Sequence, residues 1–399
     1  MLTKSSSSYY EPIFLLLIFI ISLLFFYPNG FNLENFYRPG DETTYKNLAI
    51  KLVDQKIYAE DFDNLRSWRP PGYAFYLSIF YFLFGENGFK IIPFINYFFY
   101  LISYFLIFKV CKLFFNYKES FIISLTVFIF HAYKFNQVLI INYSETLFFF
   151  LTSFFLFFFL KSFINKKKSL FVLSFVILSL SYMVRGPTLP LGILIFIFLF
   201  IFQKNFSKKF ILFCLIVFLI PAILWIVRNF YVLGFGPHLY TANYVLIYYG
   251  LFDYLEAHKI DDILRGLDDL GKINKLKPLI VEKIQNDPFG NLFHYFKKII
   301  KHFYYHNTYF FSMTLIIFSI FTYFKNKKNL LELFIDKNFK LFLFGILISV
   351  GFIMVSSMAQ FSWRYSLIPS IYKLLFEFSL IMYFINFKSN VFFQNLKFK

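Results

Sequence analysis

Long apolar blocks separated by short polar connections dominate this chain. They fall at 12–28, 91–113, 119–140, 145–163, 169–184, 187–203, 209–228, 307–325, 339–357 and 364–386. Each approaches the roughly 20 residues that a helix needs to cross the hydrocarbon of a bilayer. In lipid every backbone polar group must be satisfied within the protein, so these blocks are predicted to be helices. Pro187 divides the run from 169 to 203, because proline punctuates a helix and Arg185-Gly186 suits mid-bilayer poorly. The pattern predicts an all-α polytopic membrane protein with about ten transmembrane helices.

The polar connections are of two kinds. The short ones carry Lys112 and Lys118; Lys161 and Lys166 to Lys168; Lys204, Lys208 and Lys209; and Lys325, Lys327, Lys328, Lys337 and Lys340. Lys4 and the tail lysines Lys388, Lys397 and Lys399 fall on the same side, which the positive-inside rule makes cytoplasmic. The opposite side receives two larger segments, 29–90 and 229–306, which hold most of the Asp and Glu residues and carry amphipathic, interfacial patterns. The expected organisation is an N-terminal transmembrane module (1–228, including the outer loop 29–90), an outer-face region (229–306), and C-terminal transmembrane helices with a cytoplasmic tail (307–399). No inverted repeat is evident, and the spans lack a midplane chain of ionisable residues of the kind a coupled carrier needs.

Composition agrees. Of 399 residues, 59% are hydrophobic and only 16% charged, against about a quarter charged in soluble domains. A net charge of +18 would suggest nucleic acid in a soluble protein. Here the cations cluster between apolar runs and are topology signals beside anionic lipid, so membrane lipids are the expected partner and nucleic acid is not. The 67 Phe residues receive no individual functional weight. Cys111 and Cys214 lie in or beside apolar runs and imply no disulfide framework. Lys4 before Pro12 to Tyr27 imitates a signal peptide, but no small-residue cleavage site follows, so an uncleaved anchor is expected.

Candidate chemistry gathers in the first outer segment. Tyr45, Leu48, Ala49, Leu52 and Val53 form one apolar stripe of a helix opposite Lys46, Asn47, Lys51 and Asp54. Asp41 stands at or near its N-cap, and Glu42 beside it is expected to be a solvated neighbour. Farther on, Arg69 precedes the rigid Pro70-Pro71-Gly72 turn and a helix beginning near Tyr73. An acid at one helix start and an arginine at another suit deprotonation of a hydroxyl beside a held phosphate.

Arg69, Arg185, Arg228 and Arg364 stand out in a chain that otherwise prefers Lys, since Arg offers a fork for phosphate oxygens. Trp225 and Trp363 beside Arg228 and Arg364 equally suit an interfacial belt. Glu145 opens a span, as a second acid, a metal ligand or a first-turn Glu favoured by the helix dipole. His302 and His306, at i and i+4 with no third ligand suggested, are expected at the interface rather than on a metal. Asp287-Pro288 is a helix start, followed by a stripe of Phe289, Leu292, Phe293, Phe296, Ile300 and Phe303 opposite Lys297, Lys298 and Lys301.

The order Asp41-x3-Tyr45-x3-Ala49, then Arg69-x-Pro71-Gly72-Tyr73-x-Phe75 and Leu83-Phe84-Gly85, resembles the first loop of GT-C glycosyltransferases. Within that superfamily it is similar to the branch of protein mannosyltransferases and lipid A aminoarabinose transferase. Ser144-Glu145-Thr146-Leu147-Phe148, Arg185-Gly186-Pro187-Thr188, Trp225-x2-Arg228-Asn229-x4-Gly234 and Arg364-Tyr365-x3-Pro369 extend the likeness along the chain. The resemblance implies an inverting transferase that moves a sugar from a polyprenyl-phosphate donor to a lipid, glycan or protein hydroxyl. It makes Asp41 the catalytic base and 1–228 the catalytic module. Arg69, Arg228 and Arg364 would hold the donor phosphate, while Tyr45, Tyr73, Glu145 and Arg185 would line the substrate cavity. No cofactor is called for, and a divalent metal stays open, because the acidic metal motif of other GT-C branches is not clear here. The implied location is a bacterial inner membrane, with both termini cytoplasmic and the active site on the periplasmic face. The rival classes are a flippase or transporter of a lipid-linked sugar or polyanion, and a non-catalytic polymer-assembly partner.

Overall fold

The computed structural model describes residues 9–26, 41–60, 69–139, 144–186, 188–202, 206–234, 263–291 and 363–396. It adds positions 66, 248, 260, 293, 294, 297, 345, 346, 348 and 349. Among the described residues the structure is helical: α1 Tyr10–Phe26, α2 Asp41–Asp54, α3 Gly72–Phe84, α4 Asn87–Cys111, α5 Tyr117–Leu139, α6 Glu145–Asn165, α7 Lys168–Val184, α8 Thr188–Phe202, α9 Lys208–Leu233, α10 Asp269–Asn286 and α11 Trp363–Leu396. Eight of the ten predicted spans coincide with these helices to within a few residues at their starts. The predicted span 307–325, nearly all of 339–357, and His302 and His306 lie outside the described residues.

Helices α4, α6 and α9 are long and apolar enough to cross a membrane, and α1, α3, α7 and α8 contain shorter apolar stretches. Their apolar side chains are divided between a protein-facing and an outward face. Leu224 of α9 is 64% exposed while Trp225 beside it is buried. Such exposure of large aliphatic groups suits lipid rather than water. The phenylalanines supply the interior. Phe171 stacks on Phe159 and Phe206 at 5.9 and 4.6 Å, and Phe175 packs on Phe196 at 4.3 Å, which joins α6, α7 and α8.

Several of the closest packings join helices that are not consecutive in the chain. α6 packs between α4 and α7, α7 reaches α9 and α3, and α5 joins α1, α4 and α11. α2 lies on α3 and buries the predicted stripe through Tyr45, Leu48 and Ala49. The role expected for Gly72, freedom to turn, is not the one it plays, since its φ is not positive. A Cβ there would fall 2.7 Å from the Met183 carbonyl group and 2.9 Å from Val184 N. Glycine is required because the start of α3 presses directly on the end of α7.

The interior is less purely apolar than the spans suggested. Lys373 and Glu377 of α11 are buried and pair at 2.5 Å, and buried His131 of α5 lies 3.0 Å from Ser370 Oγ. The Tyr372 hydroxyl sits 2.7 Å from Thr152 Oγ1 and 3.0 Å from Ser153 Oγ of α6. The Lys373–Glu377 pair is one ion pair within one helix, not a chain of ionisable residues across the spans. Opposite charges four residues apart share one helix face, so each lowers the burial cost of the other.

Candidate active site

Several helix ends gather around the start of α3 and the segment that precedes it. Tyr73, fully buried in the first turn of α3, meets Tyr45 of α2 edge-on at 5.1 Å and stacks on Tyr76 at 5.7 Å. Above Tyr45 lies the Arg69 guanidinium, 5.2 Å from the ring centre. Its Nε donates to Glu60 Oε1 at 3.0 Å, so a largely buried carboxylate fixes one edge of the fork. The Tyr58 hydroxyl donates to the carbonyls of Arg69 and Pro70 at 3.1 and 3.3 Å. Burial pushes its ionisation well above the usual tyrosine value, with Tyr45 and Glu60 adding to the effect, so Tyr58 remains a neutral donor.

Beside the Gly72 contact, Arg185 emerges from α7 in an extended conformation. Its Nη1 pairs at 2.8 Å with Glu145 Oε1 at the start of α6, and its guanidinium lies over Phe148. Both side chains are nearly removed from solvent. Glu42 is 3% exposed. The expectation of a solvated neighbour is therefore overturned. Residues 42, 45 and 49 share one helical stripe, and the stripe is the buried face.

At the end of α9, Arg228 lies over Trp225 at 4.7 Å and Tyr58 at 5.7 Å. It donates through Nη1 to the Arg66 carbonyl at 2.5 Å and to Asn229 Oδ1 at 2.8 Å, and through Nη2 to the Tyr58 carbonyl at 3.2 Å. Asp269, in the first turn of α10, accepts the Arg66 backbone N–H at 2.7 Å.

The structure thus brings Tyr45, Tyr73, Arg69, Glu145, Arg185 and Arg228 to one end of the bundle. Asp41 is the first residue of α2, next to this cluster in the chain, and Arg364 lies in the first turn of α11. Glu60, Tyr58 and Asp269 were not found from the sequence. Glu60 and Tyr58 lie in an aperiodic segment that gives no pattern, whereas Asp269 follows Asp268, whose side chain caps α10 by accepting from Gly271 N at 2.8 Å. A double-Asp helix start was the available signal. Asp287 likewise accepts from Gly290 N at 2.8 Å, as its predicted capping role requires.

Among the described residues no group of three or more His, Cys, Asp or Glu side chains is placed to hold a metal ion. Glu145 and Glu60 pair through Oε1 with Arg185 and Arg69 respectively.

Residues 68–227 match the family model of dolichyl-phosphate-mannose-protein mannosyltransferases. No curated protein matches the chain by sequence. Comparison with solved structures finds two of ArnT from Cupriavidus metallidurans. One, bound to undecaprenyl phosphate, is 11% identical, with a TM-score of 0.48 over 92% of this chain and 59% of that one. The other, in the apo state, is 12% identical, with a TM-score of 0.42 over 94% of this chain and 77% of that one. The chain spans less than two thirds of the length of the first.

Proposed function

We propose that this chain is a membrane glycosyltransferase of the GT-C type, a reading supported by its match over residues 68–227, and that it moves a sugar from a polyprenyl-phosphate donor to an acceptor hydroxyl. The site would face the outer side of the membrane, opposite the lysine-rich connections. Asp41 takes the proton from the acceptor hydroxyl as that oxygen attacks the anomeric carbon. The bond from that carbon to the phosphate oxygen breaks, and polyprenyl phosphate leaves with the electron pair. Attack opposite the leaving group inverts the anomeric centre. Arg69 neutralises the departing phosphate, and Arg364 at the start of α11 adds a second cation. Tyr45 and Tyr73 form the aromatic floor, and the Glu145–Arg185 pair closes one wall.

The observation that carries this reading is the setting of Arg69. Glu60 fixes its Nε edge, Tyr45 supports its face, and Tyr58 holds the backbone of Arg69 and Pro70 at the start of α3. A planar cation held on a helix start is preorganised for a phosphate. Replacement by Met keeps the packing volume and removes the charge. Arg69→Met is expected to weaken binding of a polyprenyl phosphate to the purified protein by about 10- to 100-fold, in line with loss of a charge-assisted bond of about 1.5–3 kcal/mol. Unchanged affinity in a titration monitored by intrinsic fluorescence would remove Arg69 from the donor site.

The carrier reading gains one observation, the buried Lys373–Glu377 pair with His131 nearby in α5. A carrier moves lipid-linked sugar across the bilayer without breaking the sugar–phosphate bond. Release of sugar-free polyprenyl phosphate therefore separates the two classes.

A further inference from the structure

Arg228 and Asp269 approach the peptide groups at Arg66 from two different parts of the chain. From the end of α9, the Arg228 guanidinium bridges the carbonyls of Tyr58 and Arg66, eight residues apart in sequence. From the start of α10, the buried Asp269 carboxylate accepts the N–H of the same Arg66. Asn229 Oδ1 takes a further N–H of the Arg228 fork, and Trp225 and Tyr58 cover its faces. Three N–H groups of Arg228 are therefore committed to protein oxygens, which sets this arginine apart from a general phosphate ligand.

We infer that Arg228 and Asp269 form a two-sided clamp on the Arg66 backbone and act as positioning residues for Arg69, three residues on. The clamp ties Arg66, in the first outer segment, to the start of α10 in the second. A planar fork is needed for this, because one guanidinium reaches two separated carbonyls while a lysine ammonium is a single point. The inference refines the proposed function by assigning Arg228 to the loop rather than to the phosphate. Arg69 remains the phosphate contact only insofar as that reading holds.

The test is hydrogen exchange on the full chain in detergent, with no donor present. Arg228→Lys keeps the charge and loses the bridge. It is expected to speed exchange of the peptide bearing the Arg66 amide at least about 10-fold while α4 exchanges as in the wild type. Wild-type exchange at Arg66 in a folded Arg228→Lys protein would overturn the clamp. If that variant fails to fold, Asp269→Ala is read in the same way, since it removes the acceptor of the Arg66 N–H itself. A double-mutant cycle on transfer rate then separates positioning from direct contact. With action through Arg69, Arg228→Lys costs less than about 2-fold in an Arg69→Ala background. A full, multiplicative loss in that background would instead make Arg228 a phosphate ligand and overturn the positioning role. The exchange measurement needs no substrate, so it stands or falls apart from the donor reading.

Discussion

Asp41→Asn is expected to lower sugar transfer by roughly 10²–10⁴-fold, the usual contribution of a positioned general base, with insertion and folding intact. Asn preserves the size of the side chain and is as well suited as Asp to a helix start, so α2 should form unchanged from residue 41 onward. What it loses is the capacity to accept a proton from the acceptor hydroxyl. The informative partner is Glu42→Gln. Glu42 is a buried acid next to Asp41 in the chain, and its neutral isostere fits the same space. With Asp41 as the base, Glu42→Gln retains much more activity than Asp41→Asn. The reverse order would transfer the base assignment to Glu42.

Breaking the Glu145–Arg185 pair carries the largest expected effect on stability. The two groups meet at 2.8 Å with little access to solvent, so removing one strands the other in a low-dielectric setting. Loss of one partner of a buried pair typically costs about 3–5 kcal/mol, whereas replacing both by apolar groups of similar volume is far milder. Glu145→Leu should therefore lower the thermal unfolding midpoint in detergent much more than Glu145→Leu combined with Arg185→Met. A double variant as unstable as the sum of the two single changes would show that the pair is not the source of the stability. Because Gly72 rests on Met183 and Val184, just before Arg185, the single change should also disturb the start of α3.

The residues that were legible in advance share a physical basis. Transmembrane helices declare themselves by long apolar runs, and eight of those runs became helices at nearly the expected starts. The stripe of α2 and the Pro-Pro-Gly start of α3 were equally plain, because periodicity and backbone restriction are local properties. Membership of Tyr45, Tyr73, Arg69, Glu145 and Arg185 in one cluster came from resemblance and from their shared end of the bundle. Partner identity was not legible. Glu60 under Arg69 and Asp269 on Arg66 are contacts between segments 9 and 203 residues apart, with no periodic signature in either segment. Glu42 was legible and was misjudged. It is spaced as Tyr45 and Ala49 require for the buried stripe, but its charge suggested solvent. A charged residue on an apolar stripe is better read as part of the buried face than as an exception to the stripe. Lys373 and Glu377 teach the same lesson within a span, where i, i+4 spacing announces a pair that can be buried together.

The most direct test of the central claim is single-turnover transfer by the purified chain in proteoliposomes, supplied with polyprenyl-phosphate-linked sugars and a hydroxyl acceptor mixture. The predicted result is stoichiometric release of sugar-free polyprenyl phosphate with a new glycosidic product of inverted anomeric configuration, slowed by roughly 10²–10⁴-fold in Asp41→Asn. Movement of intact lipid-linked sugar across the vesicle membrane, with no bond broken by the wild-type protein, would contradict it.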